Sequence, residues 1–275
     1  MEDYSKWESN MRCDGLVTVV TGGGSGIGNA CVRAFVAAGA RVGVLDLDLS
    51  ALPDDPHVHG VRADVADRSS LSGAVASVAE AFGGIDILVN NAGISAVGTV
   101  EEDDDEQWSR VLDVNVTGVA RTSAVALPYL RRSSSAAIVN ISSIAATVGL
   151  PRRALYSASK GAVHALTLAM AADLVTEGVR VNCVAPGTVD TPWVARLLAG
   201  AADPTAEKRQ LASRQPTGRL VTADEVAAAV VYLASPTTGS VTGTSLAVDG
   251  GMSGLRLPAQ VPPAAGQARS AGSGA

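Results

Sequence analysis

The chain has few aromatic residues, few cysteines and no concentrated basic charge. Only 3% of its 275 residues are aromatic although 47% are hydrophobic, so its core must consist mainly of alanine, valine, leucine and isoleucine. Such a core suits helices packed closely on buried parallel strands. The net charge of −6, without a cluster of Lys and Arg, argues against a nucleic-acid partner. No apolar run approaches the roughly 20 residues that cross a bilayer, so no membrane partner is expected.

The scarce cysteines also limit the class of protein. Cys13, Cys31 and Cys183 are odd in number and widely spaced, which excludes a disulfide framework and a cysteine-ligated metal cluster. We therefore expect no bound metal. The first fifteen residues carry charges and lack an apolar core, unlike a secretory signal. These features predict a cytoplasmic protein with reduced thiols.

Short apolar runs alternate with longer segments whose apolar residues recur at three- and four-residue spacing. The short runs predict strands at residues 16–20, 41–45, 57–62, 85–89, 137–141, 180–184 and 245–248. The longer segments predict helices that include residues 26–38, 69–82 and 158–176. Strands that alternate with helices form a parallel sheet covered on both faces. We predict an α/β protein with a single-domain, doubly wound Rossmann fold and a parallel sheet of about seven strands flanked by helices.

The predicted domain covers residues 15–257, after an N-terminal extension at 1–14. Residues 192–220 interrupt the last crossover and are interpreted as a substrate lid over the carboxyl edge of the sheet. Residues 258–275 are almost entirely Pro, Ala, Gly, Ser and Gln, which predicts a disordered tail. The acidic run at 101–106 precedes an amphipathic segment, so its charges are expected to face a helix N-terminus in water.

A glycine-rich turn follows the first predicted strand and opens the first predicted helix. Glycine allows a tight turn and close approach of the backbone to a pyrophosphate, and a helix N-terminus favours the anion. This position predicts a dinucleotide site. Its candidate residues are Gly22, Gly24, Ser25, Gly26, Ile27 and Gly28.

The second strand ends at Asp46, about twenty residues beyond the turn. A carboxylate there can accept hydrogen bonds from both hydroxyls of the adenosine ribose, and it repels a 2′-phosphate. Neither Ser25 nor Leu47 supplies the cation that a 2′-phosphate requires. Asp46 and Leu47 therefore predict NAD rather than NADP, unless Asp46 only caps the following turn.

Tyr156 and Lys160 are four residues apart in a helical segment and should lie on one helix face. An ammonium beside a phenol lowers the pKa of the phenol toward the working pH, which suits a general acid/base in alcohol oxidation. This spacing is also common by chance in exposed helix pairs.

The motifs together resemble the short-chain dehydrogenase/reductase family over residues 16–252. The resemblance adds three groups of cofactor contacts to the glycine turn. They are Asp64 and Val65 near the adenine, the segment Asn91, Ala92 and Gly93 after the fourth strand, and Pro186, Gly187, Val189 and Thr191 on the nicotinamide side.

The resemblance implies four catalytic residues. Tyr156 would exchange the hydroxyl proton, and Lys160 would lower its pKa and hold the nicotinamide ribose. Ser143 would hydrogen-bond the substrate oxygen, although the adjacent Ser142 leaves the choice open. Asn115 would hold a water in a proton relay, or would instead be a buried amide that repairs a kinked helix. The implied reaction moves hydride between NAD(H) and a secondary alcohol or its ketone.

Arginines gather near the catalytic end of this acidic chain. The segments 186–192 and 214–219 resemble those of cytosolic type 2 3-hydroxybutyrate dehydrogenases, also regarded as 4-oxoproline reductases, and of 2-keto-3-deoxy-sugar-acid dehydrogenases. That resemblance implies that Arg153, Arg196 and Arg214 hold a substrate carboxylate. Trp193 stands where those relatives have a small residue, so the pocket volume should differ.

Two alternatives to a small hydroxy acid or sugar acid stay open. The first is an uncharged polyol, sugar or hydrophobic secondary alcohol, with Trp193 as an apolar wall. The second is a dinucleotide-binding protein without catalysis, because a fold alone does not establish function. The resemblance also implies a homo-oligomer, with a tetramer favoured over a dimer.

Overall fold

A computed structural model of the chain describes residues 11–201 and 203–256. Seven strands form one sheet in which every pairing is parallel. The nine strands of these residues are β1 (Val17–Thr21), β2 (Arg41–Asp46), β3 (Val58–Arg62), β4 (Ile87–Asn90), β5 (Ala137–Ile141), β6 (Arg180–Pro186), β7 (Val189–Asp190), β8 (Val221–Thr222) and β9 (Ser245–Val248). The order β3-β2-β1-β4-β5-β6-β9 confirms the predicted doubly wound fold.

Helices cover both faces of the sheet. The helices are α1 (Gly26–Ala37), α2 (Arg68–Phe82), α3 (Asp105–Leu112), α4 (Gly118–Leu130), α5 (Ala154–Leu174), α6 (Pro192–Ala199), α7 (Pro204–Ser213) and α8 (Ala223–Ala234). Helices α1 and α8 contribute to one core, and α2, α4 and α5 contribute to the other. None of the helices in the described residues has the length and apolarity of a membrane span.

Side-chain alternation along the strands separates the two cores. In β1, Val19 joins the core of α2, α4 and α5, whereas Val20 joins the core of α1 and α8. Both side chains are fully buried, as expected for a parallel sheet covered on both faces. Small residues bring the layers close together, since a Cβ at Gly43 would lie 2.4 Å from Val78 of α2.

The crossovers place a cleft at the carboxyl edge of the sheet. From β1 the chain runs to β2 and β3 on one side, and it then returns to β4 on the other side of β1. This reversal is the topological switch point at which doubly wound folds bind ligands. The glycine turn follows β1 and the 91–93 segment follows β4, so the two segments meet there.

The predicted lid consists of α6 and α7. These helices form a small apolar cluster of their own, separate from the two main cores, with Val194, Leu198, Leu211 and Leu220. Beneath the cluster, β7 and β8 form a two-stranded parallel sheet that the periodicity did not predict. The lid therefore rests on its own packing and on this short sheet.

The chain ends and the acidic run differ from the predictions in detail. Cys13 lies in the predicted extension at 1–14, yet it is fully buried and its N–H donates to the carbonyl of Ala38. In the acidic run, Asp104 caps α3 as expected, but Asp103 is buried rather than solvated. The tail predicted at 258–275 lies outside the described residues.

Candidate active site

A cleft of about 910 Å³ lies at the carboxyl ends of the central strands and is bordered by residues of α6 and α7. It brings together most of the candidate residues from distant parts of the sequence. The candidates that line it are Gly22, Ser25, Gly26, Ile27, Asp46, Leu47, Asp64, Val65, Asn91, Ala92, Gly93, Ser143, Arg153, Tyr156, Lys160, Pro186, Gly187, Val189, Thr191, Trp193, Arg196 and Arg214. Gly24, Gly28 and Asn115 are not part of the lining.

The glycine turn has the geometry that its sequence predicts. Gly22 and Gly26 have positive φ angles of 64° and 53°, a region that disfavours residues with a Cβ. A Cβ at Gly28 would lie 2.0 Å from the carbonyl oxygen of Gly22, so glycine is required where α1 meets the turn. Ser25 precedes α1 but makes no side-chain cap, which leaves the first N–H groups of α1 available to an anion.

Asp46 supports the glycine turn through its carboxylate. One oxygen accepts a hydrogen bond from the N–H of Gly24 at 2.8 Å, and the other accepts from the N–H of Asp48 at 3.1 Å. The expected cap of the following turn is therefore present, and the same carboxylate also reaches the cleft. Leu47 is mostly exposed beside it.

The adenine-side candidates lie after β3. The Asp64 carboxylate accepts from the N–H of Ala66 at 2.8 Å, which holds the turn into α2. Val65 packs against Gly118, and a Cβ added at Gly118 would lie 3.1 Å from a methyl group of Val65. This contact joins the adenine side of the cleft to the start of α4.

The segment after β4 is hydrogen-bonded to the end of β1. The Thr21 hydroxyl accepts from the N–H groups of Asn91 and Ala92 at 3.0 and 3.1 Å. The Asn91 amide donates to the carbonyls of Thr21 and Gly22 at 3.0 and 2.9 Å. The Asn91 side chain therefore holds the glycine turn in place. Gly93 lies next to the catalytic candidates Asn115 and Lys160.

Asn115 lies in a π-helical segment, Asp113–Thr117, between α3 and α4. Its amide accepts from the N–H of Ile94 at 2.7 Å and donates to the carbonyl of Ile94 at 2.8 Å. The amide also donates to the Ser159 hydroxyl of α5 at 3.0 Å. These contacts are those of a buried amide at a kink, and the water-holding role of Asn115 stays a prediction. A single π-helical turn within a longer helix, as at Asp113–Thr117, is frequent at functional sites.

The adjacent serines point to different partners. The Ser142 hydroxyl donates to the backbone carbonyl of Lys160 at 3.0 Å and so supports α5. The Ser143 hydroxyl is hydrogen-bonded to the Tyr156 phenol, and it accepts from the N–H of Ala145 at 3.1 Å. Ser143 is therefore the serine beside the phenol, and it is the one that the family resemblance favoured.

Burial governs the pKa values of the Tyr156 and Lys160 pair. It raises the pKa of the Tyr156 phenol, and the Ser143 hydrogen bond and the positive charge of Arg153 offset only part of that rise. Burial also lowers the pKa of the Lys160 ammonium to about 8. The ammonium lies 5.8 Å from the ring centroid and donates to the carbonyl of Ile141 at 2.8 Å. The expected lowering of the phenol pKa is therefore wrong for the protein without cofactor, because desolvation is the larger effect.

Three arginines border the substrate side of the cleft. Arg153 precedes α5 and is half-buried, and burial lowers the pKa of its guanidinium. One of its nitrogens donates to the Ser95 hydroxyl at 3.0 Å and to the carbonyl of Ala96 at 2.9 Å. Arg196 and Arg214 are exposed, and their side chains make no hydrogen bond or ion pair with other described residues. Trp193 lies against Arg153, with 5.8 Å between the guanidinium carbon and the ring centroid.

Sequence reasoning missed Ser95 and Gln215. Ser95 lines the cleft and holds Arg153, but a lone serine after the 91–93 segment gave no signal. Gln215 is 1% exposed, and its amide donates to the carbonyls of Arg219 and Thr188 at 2.7 and 3.4 Å. Its place between two arginines of the lid gave it the appearance of a surface residue.

Comparison with known proteins gives consistent matches over most of the chain. A family profile described as "Enoyl-(Acyl carrier protein) reductase" matches residues 22–253. The chain is 39% identical over 253 residues to 2-(S)-hydroxypropyl-CoM dehydrogenase 3 of Xanthobacter autotrophicus, covering 89% of this chain and 99% of that protein. It is 42% identical over 243 residues to cis-4-hydroxycyclohexanecarboxylate dehydrogenase of Sinomonas cyclohexanicum, covering 86% and 95%. The ligand-free structure of Thermoplasma acidophilum aldohexose dehydrogenase superposes with a TM-score of 0.83 at 35% identity, covering 92% of this chain and 98% of that one.

Proposed function

This chain belongs to the short-chain dehydrogenase/reductase family, and from that membership we propose that it transfers hydride between NAD(H) and a small hydroxy acid or sugar acid. It is an oxidoreductase of CH–OH donors, as are the named dehydrogenases that it resembles over most of its length. The choice of NAD, the acid substrate and the individual residue roles are the proposal.

The residues around the glycine turn fit a dinucleotide. A Cβ at Gly24 would lie 2.3 Å from the carbonyl of Asp48, and one at Gly28 would strike Gly22, so the turn accepts only glycine there. The uncapped start of α1 would hold the pyrophosphate, and Asp46 would hold the adenosine ribose. Asp64 and Val65 would border the adenine. When bound, NAD would accept the hydride from the carbinol carbon.

The protein's own groups would handle the proton. Tyr156 as phenolate takes the hydroxyl proton of the alcohol, and Ser143 holds the substrate oxygen beside it. Lys160 in its charged form stabilises the phenolate. Asn115 supports the catalytic residues indirectly, because its amide is hydrogen-bonded to Ile94 and to Ser159 of α5.

The observation that carries the acid proposal is the unpaired charge of Arg153. Its guanidinium is half-buried beside Tyr156, and no carboxylate of the described residues forms an ion pair with it. The positive charge of Arg214 further lowers the pKa of Arg153, so the two guanidinium groups are close enough to repel each other. A substrate carboxylate between them would remove that repulsion and form charge-assisted hydrogen bonds. The relative named for hydroxycyclohexanecarboxylate acts on a secondary alcohol that carries such a group.

Substrate assays with matched pairs test the proposal. Purified protein with NAD+ would be offered hydroxy acids, sugar acids and the primary amide of each acid, together with sugars and simple secondary alcohols. We expect turnover of acids, and we expect Arg153→Ala and Arg214→Ala to raise their KM by about 10-fold or more, the size of one lost charge-assisted contact. Arg209→Ala is the control, because Arg209 lies on α7 outside the cleft lining.

Other outcomes would favour the alternatives. If both arginine variants left the KM of every active acid unchanged, the carboxylate contacts would be wrong. Turnover of neutral sugars or alcohols but not of acids would favour the uncharged substrate class, which the likeness to aldohexose dehydrogenase supports. Binding of NAD without turnover of any substrate would favour a non-catalytic protein.

We further propose a homotetramer in the cytoplasm, both on family resemblance. The predicted subunit contacts involve the helices at 101–130 and 158–176 and the last strand. Exposed apolar side chains on or just after α5, including Leu168 and Val175, support burial against another copy. Light scattering during gel filtration would distinguish a tetramer from a dimer or a monomer.

A further inference from the structure

One side chain of α6 lies beside Arg153, the residue that precedes α5, and the proposed reaction does not use it. Trp193 is the second residue of α6, and its indole is 41% exposed although it lies at the cleft. An exposed indole leaves a large apolar surface in contact with water. In the proteins that the segment 186–192 resembles, this position holds a small residue. Its neighbour across the cleft is the guanidinium of Arg153, at 5.8 Å from the ring centroid.

This distance is within the range of a cation–π contact, which is about 6 Å from cation to centroid. The contact is more than incidental, because Arg153 is fixed on its other side. One terminal nitrogen donates to the Ser95 hydroxyl and the Ala96 carbonyl. The backbone at Arg153 is also held, since Gly98 accepts from the N–H of Ala154 and donates to the carbonyl of Arg152. The guanidinium therefore has little freedom to follow a moving lid.

The guanidinium of Arg153 has N–H donors that its contacts with Ser95 and Ala96 do not use. A guanidinium carries five N–H donors, and the two contacts of Arg153 use one terminal nitrogen. The remaining N–H groups belong to the edge that can bind a carboxylate through two parallel hydrogen bonds. The indole lies against the guanidinium and occupies none of its N–H groups, so the contact limits the movement of the guanidinium and leaves that edge free.

We propose that Trp193 is a specificity-determining residue, which seats the lid against Arg153 and presents the free edge of that guanidinium to the carboxylate of the substrate. This inference rests on the proposed function, because it assumes an acid substrate. Substrate recognition and lid position then depend on the same pair of side chains. Arg214, which follows α7 and also lines the cleft, would supply a second guanidinium to the same carboxylate.

The experiment compares KM and kcat for an accepted hydroxy acid and for its primary amide. Trp193→Ala is expected to raise the KM of the acid by about 3-fold to 30-fold, the range of one cation–π contact. The KM of the amide and both kcat values should change by less than about 2-fold, and Trp193→Phe should restore most of the preference. Leu197→Ala is the matched control, because Leu197 also lines the cleft from α6 and has no aromatic ring for a cation–π contact. It should change the KM of acid and amide by the same factor.

The outcomes separate the inference from the proposed function. An equal rise of both KM values in Trp193→Ala would overturn the inference, since the indole would then be only an apolar wall. A wild-type enzyme without preference for acid over amide would refute the acid substrate and the inference with it. Fluorescence gives a second readout in the variant Trp7→Phe/Trp108→Phe, where Trp193 is the remaining tryptophan. The acid should shift its emission and the amide should not, and the reverse result would count against the inference.

Discussion

The burial of Lys160 predicts a pH dependence of the free energy of unfolding, which can be measured without any substrate. The Lys160 ammonium is buried in α5, and burial lowers its pKa from 10.5 to about 8. The unfolded chain therefore binds more protons at this position than the folded protein between these two values. The free energy of unfolding rises with pH in that window, because proton binding to Lys160 favours the unfolded chain and this advantage weakens as the pH rises. The charged form is a cost to the folded protein below about pH 8.

The perturbation is Lys160→Met, which removes the charge and keeps the length of the side chain. The lost hydrogen bond to the Ile141 carbonyl destabilises the variant by an amount that does not depend on pH. The pH-dependent part follows from the two pKa values: wild type should gain about 2 kcal/mol relative to the variant between about pH 7 and about pH 9.5. Other groups that titrate there, including the buried thiols, are common to both proteins and cancel in the difference.

Urea unfolding at a series of pH values, at one protein concentration, measures this difference. Lys208→Met is the control, because Lys208 is exposed and forms only a long surface contact with Asp190. Its difference from wild type should be nearly flat over the same range. Parallel curves for wild type and Lys160→Met would refute the argument, since they would mean that Lys160 titrates near its ordinary pKa.

Four further variants test the site. Gly28→Ala should lower the Tm and prevent binding of NADH, measured by its fluorescence, because the new Cβ would lie 2.0 Å from the carbonyl oxygen of Gly22. The control Gly73→Ala in α2 has open space around the new Cβ and should stabilise the protein by about 0.5–1 kcal/mol. Equal effects of the two substitutions would contradict the geometry. Asp46→Ala should lower the ratio of kcat/KM for NAD+ over NADP+ by about 10-fold or more, and an unchanged ratio would remove Asp46 from cofactor choice. Tyr156→Phe should abolish NADH formation and leave NADH binding intact, so residual turnover at the wild-type rate would disprove its role. Asn115→Ala should lower both kcat and Tm, because it breaks three hydrogen bonds, and a loss of kcat without a loss of Tm would point to a direct role in proton transfer.

The sheet was predictable because buried parallel strands are continuous apolar runs. The run at 16–20 corresponds to β1 with a shift of one residue, and 137–141 and 245–248 match β5 and β9. The helical pattern predicted to begin at Tyr156 begins two residues earlier, at Ala154, so Tyr156 lies in the first turn. Apolar periodicity missed this start, because the bridge between Gly98 and Arg153 sets it and that contact is distant in sequence.

The catalytic and cofactor candidates were predictable as motifs, but their electrostatics were not. The spacing of Tyr156 and Lys160 indicates one helix face, whereas the depth of burial that raises one pKa and lowers the other depends on the whole fold. The supporting contacts of the arginines were equally hidden. Ser95 holds Arg153 across 58 residues of sequence, a pairing that no local pattern indicates.

The carboxylate of Asp46 supports the glycine turn and also faces the cleft, so these two properties cannot change independently. A variant selected for NADP by loss of the charge would also release the N–H of Gly24 and loosen the glycine turn proposed to bind the pyrophosphate. A neutral residue that still accepts a hydrogen bond, such as asparagine, would separate the two effects. Cofactor preference in this enzyme should therefore evolve through replacements that keep an acceptor at position 46, and engineering of the cofactor specificity should begin from the same restriction.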